Sequence, residues 1–191
     1  MSARRPRIAV IMGGDSSERP VSLKSGGAVA QALDPGKYHV VTYDPPSDLL
    51  RLVDDADSLD AALIMLHGRG GEDGCMQGLL DLLGVPYQCA GVLGCALAMN
   101  KVMAKERFRQ FGLPVADDFV FEAGQPGVVE EALLRLGLPL VIKPACEGSS
   151  FGVTICQRPE QVGPAIVEAS AKDSLILAEK CIIGRARSPA G

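Results

Sequence analysis

The chain is poor in the residues that build metal sites and disulfide frameworks. Only His39 and His67 could join the cysteines as nitrogen ligands, and Cys75, Cys89, Cys95, Cys146, Cys156 and Cys181 form no C-x-x-C pair. Neither zinc nor a disulfide scaffold is supported, and no metal ligand is assigned. Buried, reduced thiols are expected; a nucleophilic cysteine is the other reading, and nothing nearby identifies its base. Basic charge is also scarce. Nineteen Lys and Arg against 23 Asp and Glu leave a net charge of −4, which removes the electrostatic footprint of a nucleic-acid binder or of a protein seated on an anionic membrane. Small metabolites fit better. No long hydrophobic run exists: residues 85–99 are broken by Pro86, Gln88 and glycines, and fall short of the roughly 20 residues a membrane helix needs. Residues 8–12, behind Arg4, Arg5 and Arg7, are too short for the core of an export signal, so a cytoplasmic protein is expected. The motifs G-x-x-x-x-G-K-[ST] and G-x-G-x-x-G are both missing, so any nucleotide fold here is of another kind.

What is present centres on residues 140–152, LVIKPACEGSSFG. Leu140, Val141 and Ile142 read as a buried strand, with Lys143 at its end. Pro144 removes a backbone donor, and the segment from Glu147 to Gly152 is a turn rich in N–H and hydroxyl donors. Such a loop can wrap amides around phosphate oxygens while the lysine adds a point charge. A Gly-Ser hairpin with a solvated lysine accounts for the same residues.

At 191 residues and 47% hydrophobic composition, the chain has room for one large domain or two small ones, each with a core. Residues 7–12 read as a strand, 13–17 as a turn, and 21–33 as a helix whose apolar face is Val21, Ala28, Val29, Ala32 and Leu33. Asp15, Ser16, Ser17, Glu18 and Arg19 stand where strand gives way to helix, as ligand contacts or as caps. Strands at 38–43 and 61–66 around a short helix at 47–56 give a βαβαβ order, and hence a parallel, doubly wound sheet. The loop HGRGGEDG at 67–74 has more glycine than its length needs, so backbone must approach something closely. Glu72 and Asp73 can cap the helix at 76–83, and His67 is a ligand donor or a structural histidine. A short strand at 85–88 and one long helix at 96–111 follow. In that helix Lys101 and Lys105 lie at i, i+4, and a solvated face explains both. The remaining order, strand 119–121, helix 127–136, strand 140–143, strand 152–156, helix 159–171 and strand 175–183, predicts a smaller α+β unit with an antiparallel sheet. The division is set at 94, giving domains 1–94 and 95–191.

These pieces together resemble the D-alanine:D-alanine ligases of the ATP-grasp superfamily. The most specific stretch is HGRGGEDGCMQG at 67–78. It is joined by Gly13-Gly14 with Ser17-Glu18-Arg19 and Val21-Ser22, by Ala98-Met99-Asn100-Lys101, by Lys143-Pro144 with Glu147-Gly148-Ser149-Ser150 and Gly152, and by Glu179-Lys180. The resemblance implies a Rossmann-like domain followed by an ATP-grasp subdomain that is incomplete at its C-terminal side. It implies that ATP phosphorylates one D-alanine and a second displaces phosphate, for peptidoglycan precursor synthesis. By the same resemblance Glu18 takes the first ammonium, with Val21, Ser22 and His67 in that pocket, and Ser149 holds Glu18. Lys101 and Lys143 bind phosphates, Glu147, Gly148, Ser149 and Ser150 close over them, and Glu179, Lys180 and Ile182 line the adenine pocket. A homodimer and Mg2+ are implied, but the family's magnesium acids lie at positions this sequence does not contain, and its ribose acid falls at Ala186. Residues 175–183 are therefore expected at an unpaired apolar edge, leaving the chain poorly stable or associating through that edge. A nucleotide- or D-alanine-binding module without catalysis, and a ligase taking D-lactate or D-serine second, are the rival readings.

Overall fold

A computed structural model describes residues 4–148 and 151–184. The chain divides into two units, Met1–Met99 and Asn100–Gly191, where the sequence reading set the division at 94.

The first unit is built from β1 (Arg7–Ile11), α1 (Arg19–Ala32), β2 (His39–Tyr43), α2 (Leu49–Asp55), β3 (Ala61–Ile64), α3 (Cys75–Leu83) and α4 (Val92–Met99). Its sheet runs β2-β1-β3 and is parallel throughout, with Ile11 level with Tyr43 and Ile64. Winding starts at β1, goes to one side for β2 and to the other for β3, which is the doubly wound pattern expected. Because side chains alternate along a strand, Ala9 and Ile11 share one face, and there they form a core with Leu52 of α2 and Met76 and Leu80 of α3.

Helix α1 corrects the expected apolar face. Val21, Ala28 and Ala32 are exposed, and the buried positions are Ser22 and Gly26. A side chain at Gly26 would run into Met12, so the helix comes close to the chain just beyond β1 through small residues instead of packing large ones.

Two further expectations change. Residues 85–88 do not form a strand; only Ala62 and Tyr87 bridge. The Gln88 amide accepts from Ile64 N–H (2.9 Å) and donates to Ile64 O (2.8 Å), occupying the groups a neighbouring strand would use. The expected long helix at 96–111 is two, because Asn100 is extended (φ −86°, ψ 102°) and its side chain accepts from Val102 N–H and Met103 N–H, each at 3.1 Å. That cap begins a new helix at Lys101.

The second unit comprises α5 (Lys101–Gln110), β4 (Asp118–Glu122), α6 (Val128–Leu136), β5 (Leu140–Pro144), β6 (Thr154–Cys156), α7 (Val162–Ser170) and β7 (Leu175–Lys180). Its sheet is antiparallel, as predicted, in the order β4-β7-β5-β6. Strand β7 is therefore interior, with Leu177 opposite Val120 on one side and Lys143 on the other. This overturns the expectation of an unpaired edge at 175–183 and removes the ground on which instability or association was expected. Leu140, Ile142 and Ile176, all fully buried, meet Ala132 of α6 and Ala169 of α7 in the core. Each large aliphatic side chain buried this way contributes about 1.5–3 kcal/mol.

Candidate functional site

In the first unit, the loop after β1 is fixed from several directions. Gly13 (φ 89°) and Gly14 (φ 76°) turn the chain with backbone that favours glycine. Gly13 N–H donates to Ser22 Oγ (2.8 Å), and that hydroxyl donates to Met65 O (2.7 Å). Gly14 N–H donates to Asp44 Oδ1 (3.0 Å), while Arg19 grips both Asp44 oxygens at 2.7 Å and Gly14 O at 2.8 Å. The Arg19 hydrogen bond, foremost, holds the Asp44 carboxyl below its ordinary value despite partial desolvation.

This clamp sets the start of α1, where Glu18 is the N-cap without a side-chain cap bond. Ser16 Oγ donates to His67 O (2.8 Å) and accepts from Glu18 N–H (3.2 Å), tying the β1 loop to the end of β3. Gly68 (φ 68°) leaves room for Glu18, whose Oε2 would lie 2.8 Å from any Cβ added there. His67 has Nε2 at 3.2 Å from Ser25 Oγ and Nδ1 at 3.9 Å from Glu72 Oε1. Glu18 and His67 are thus brought together outside the carboxyl ends of β1 and β3, where the winding reverses and open α/β sheets receive ligands. Val21 is exposed (56%), and the Ser22 hydroxyl is spent on backbone.

The glycine-rich loop is held from within. Glu72 accepts from Gly68 N–H (2.8 Å), and Asp73 accepts from Gly70 N–H (2.8 Å) and Cys75 N–H (3.0 Å), the last at the start of α3. Gln77 Nε2 donates to Gly71 O (2.7 Å). A cavity of about 320 Å³ is lined by Gly14, Asp15, Pro46, Leu49, Leu66 and Met76. Another of about 300 Å³ includes His67, Glu72, Gln77, Cys89 and Cys95.

In the second unit, two lysines converge. Lys101, first residue of α5, donates from Nζ to Glu147 O (2.5 Å) and from its backbone N–H to Ala145 O (2.9 Å). Burial, and then the neighbouring Lys143 charge, push the Lys101 ammonium below its ordinary value. Lys143, on β5, pairs with Glu179 on β7. Glu147 and Gly148 are half-buried; Ser149 and Ser150, with the expected contact of Ser149 to Glu18, lie outside the described residues. Asp173 secures the start of the loop, accepting from Cys146 N–H (2.7 Å) and Leu175 N–H (3.2 Å).

Glu179 also accepts from Lys105 Nζ (2.5 Å), and Lys105 reaches Asp118 (3.2 Å) and Ala116 O (2.8 Å), while Arg109 pairs with Asp118. Burial opposes the Glu179 charge, but the two lysines outweigh it and keep the carboxyl below its ordinary value. Lys105 is 7% exposed, which corrects the solvated face expected for it. Its i, i+4 spacing from Lys101 was the available signal. Asp44 and Asp118 carried none, because both act across long sequence separations. Lys180 is exposed, with its N–H on Asp117 O (2.9 Å), and Ile182 is exposed. Among the described residues no three His, Cys, Asp or Glu side chains are placed together to hold a metal.

Comparison with known proteins finds two family descriptions on the chain: D-ala D-ala ligase N-terminus over residues 46–90, and D-ala D-ala ligase C-terminus over residues 108–187. Curated relatives named D-alanine--D-alanine ligase include those of Syntrophobacter fumaroxidans, 48% identical over 96% of this chain and 59% of the relative. That of Desulfotalea psychrophila is 50% identical over 96% of this chain and 57% of the relative. The chain therefore spans a little over half the length of these relatives. The crystal structure of D-alanine--D-alanine ligase from Bacillus anthracis is 36% identical, with a TM-score of 0.84 over 94% of this chain and 58% of that one. The same enzyme complexed with ATP gives 35% and 0.82, over 94% of this chain and 60% of that one.

Proposed function

Because the chain belongs to the D-alanine--D-alanine ligase family, we propose that it carries the first-substrate site and much of the nucleotide site of an ATP-dependent D-alanine ligase. The observation that carries this reading is Lys101, the first residue of α5, donating to the Glu147 carbonyl at the glycine loop, with Lys143 near enough for its charge to act on it. A half-buried lysine whose charged form is disfavoured by burial and by a second lysine nearby is suited to an anion bearing several charges, such as a triphosphate. In the reaction proposed, a carboxylate oxygen of the first D-alanine attacks the γ-phosphorus and the bond to ADP breaks. The second D-alanine's amine, after losing a proton, attacks the acyl carbon and phosphate leaves. Glu18 accepts the first ammonium beside His67. Lys101 and Lys143 offset charge on the phosphates, with Glu147, Gly148, Ser149 and Ser150 as the covering loop, and Glu179, Lys180 and Ile182 receive the adenine. The whole protein acts as a cytoplasmic homodimer in peptidoglycan precursor synthesis.

The test is phosphate release by the 191-residue chain with ATP, magnesium and D-alanine, beside Lys143→Ala. Release that requires D-alanine and disappears in the variant supports the proposal; its absence from the wild type refutes catalysis by this chain. Nucleotide binding without turnover is the second reading. Retained ATP binding with no release identifies it. Replacing the second D-alanine with D-serine or D-lactate tests the choice of second substrate.

A further inference from the structure

Lys105 is a buried ammonium held by protein groups: Nζ donates to Ala116 O (2.8 Å) and Glu179 Oε1 (2.5 Å), and forms an ion pair with Asp118 Oδ1 at 3.2 Å. Lys143 is more open, and its acid partner is the other oxygen of Glu179. The sheet register explains the arrangement. Glu179 lies between Asp118 of β4 and Val141 of β5, and Lys143 is the diagonal neighbour of Glu179 on the same face. The cluster holds three cations, Lys105, Lys143 and Arg109, against two carboxylates, Asp118 and Glu179.

We propose that Lys105 is a positioning residue of the nucleotide site: it keeps Glu179 neutralised, so that Lys143 can turn from Glu179 to a phosphate without stranding a buried carboxylate. The inference rests on the reading that Lys143 binds ATP phosphate. With Lys105 present, withdrawal of Lys143 leaves two cations for two carboxylates. Without it, Lys143 is the sole counter-ion of Glu179, and each phosphate contact must be made against the cost of an unpaired buried charge.

The experiment compares ATP with tripolyphosphate, which carries the phosphate charge without adenine, on the 191-residue chain. Lys105→Met is expected to weaken both by roughly tenfold. In the double variant Lys105→Met/Glu179→Gln the neutral amide no longer detains Lys143, so tripolyphosphate affinity returns to the wild-type level. A purely structural lysine would leave the double variant as weak as the single one, and that result overturns the proposal, as does unchanged tripolyphosphate affinity in Lys105→Met. The single variant keeps a cation for each carboxylate and is expected to fold. If it shows no cooperative melt, the double variant is set against Glu179→Gln alone: equal tripolyphosphate affinity supports the proposal and weaker affinity overturns it. Failure of the underlying reading looks different. A wild type that binds no ATP, or a Lys143→Ala variant that binds it equally well, removes both together.

Discussion

Two glycines of the loop and helix at 67–78 should respond oppositely to the same substitution. Gly71 is buried, and a Cβ there would collide with the Leu66 side chain while standing 2.9 Å from Leu66 C and 3.0 Å from Leu66 O. Two of those atoms are backbone and cannot rotate away. The loop must open, and with it the Gly71 carbonyl that receives Gln77. Overpacking of this kind costs about 1–3 kcal/mol. Gly78 lies within α3, where a Cβ meets only Val92 Cγ2 at 3.7 Å, an ordinary contact. Alanine there restricts the unfolded chain and favours helix, adding about 0.5–1 kcal/mol. Gly71→Ala and Gly78→Ala should therefore differ by roughly 1.5–4 kcal/mol, read as urea midpoints at constant slope. A Gly71→Ala protein as stable as wild type would refute the close approach of this loop to Leu66. A Gly78→Ala protein less stable than Gly71→Ala would refute the comparison as a whole.

Two further outcomes concern protons. Burial and Lys143 hold the Lys101 ammonium below its ordinary value, and a bound triphosphate would favour its charged form, so ATP binding at alkaline pH below the ordinary lysine value should take up protons. Binding enthalpies measured in buffers of different ionisation heat will then differ, and Lys101→Arg should abolish the difference; equal enthalpies in the wild type contradict the site. For Glu179, whose folded value is lowered mainly by Lys105 and Lys143 against the opposing effect of burial, the folded protein binds fewer protons than the unfolded one. Its contribution is complete above the unfolded value near 4.5 and is lost as pH falls through the lower folded value. Urea midpoints between pH 6 and 3 should fall less steeply in Glu179→Gln, and an identical slope would show that Glu179 is not the linked group.

Residues with local causes were legible. The apolar run at 140–142 with Lys143 at its end became β5, and the turn-rich residues after it led to an antiparallel partner, because strand propensity and turn chemistry act over a few positions. The βαβαβ order followed from alternating periodicities. Long-range effects escaped. Lys105 reads as a surface lysine until β4 and β7 place Asp118 and Glu179 beside it. The small face of α1 was hidden because Val21 and Ala28 carry the stronger hydrophobic signal, while Gly26 is chosen by the nearness of Met12. Asn100 did have a local signature as a cap, overlooked because apolar residues continue on both sides of it. Glu18 and His67 were candidates by their places at strand ends and took their proposed roles from the family resemblance, whereas the Arg19 and Asp44 clamp required the fold to bring β1 and β2 together.

The interior place of β7 bears on how the second unit comes into being. Among the described residues β4 pairs with β7 alone, while β5 already has β6. During synthesis the hairpin of β5 and β6 can close as soon as it leaves the ribosome, but Phe119 and Phe121 wait for residues some 55 positions later to give their strand a neighbour. Among the described residues β7 is the latest strand of this sheet in chain order, so its pairing with β4 is a long-range closure, slow by comparison with the local hairpin of β5 and β6.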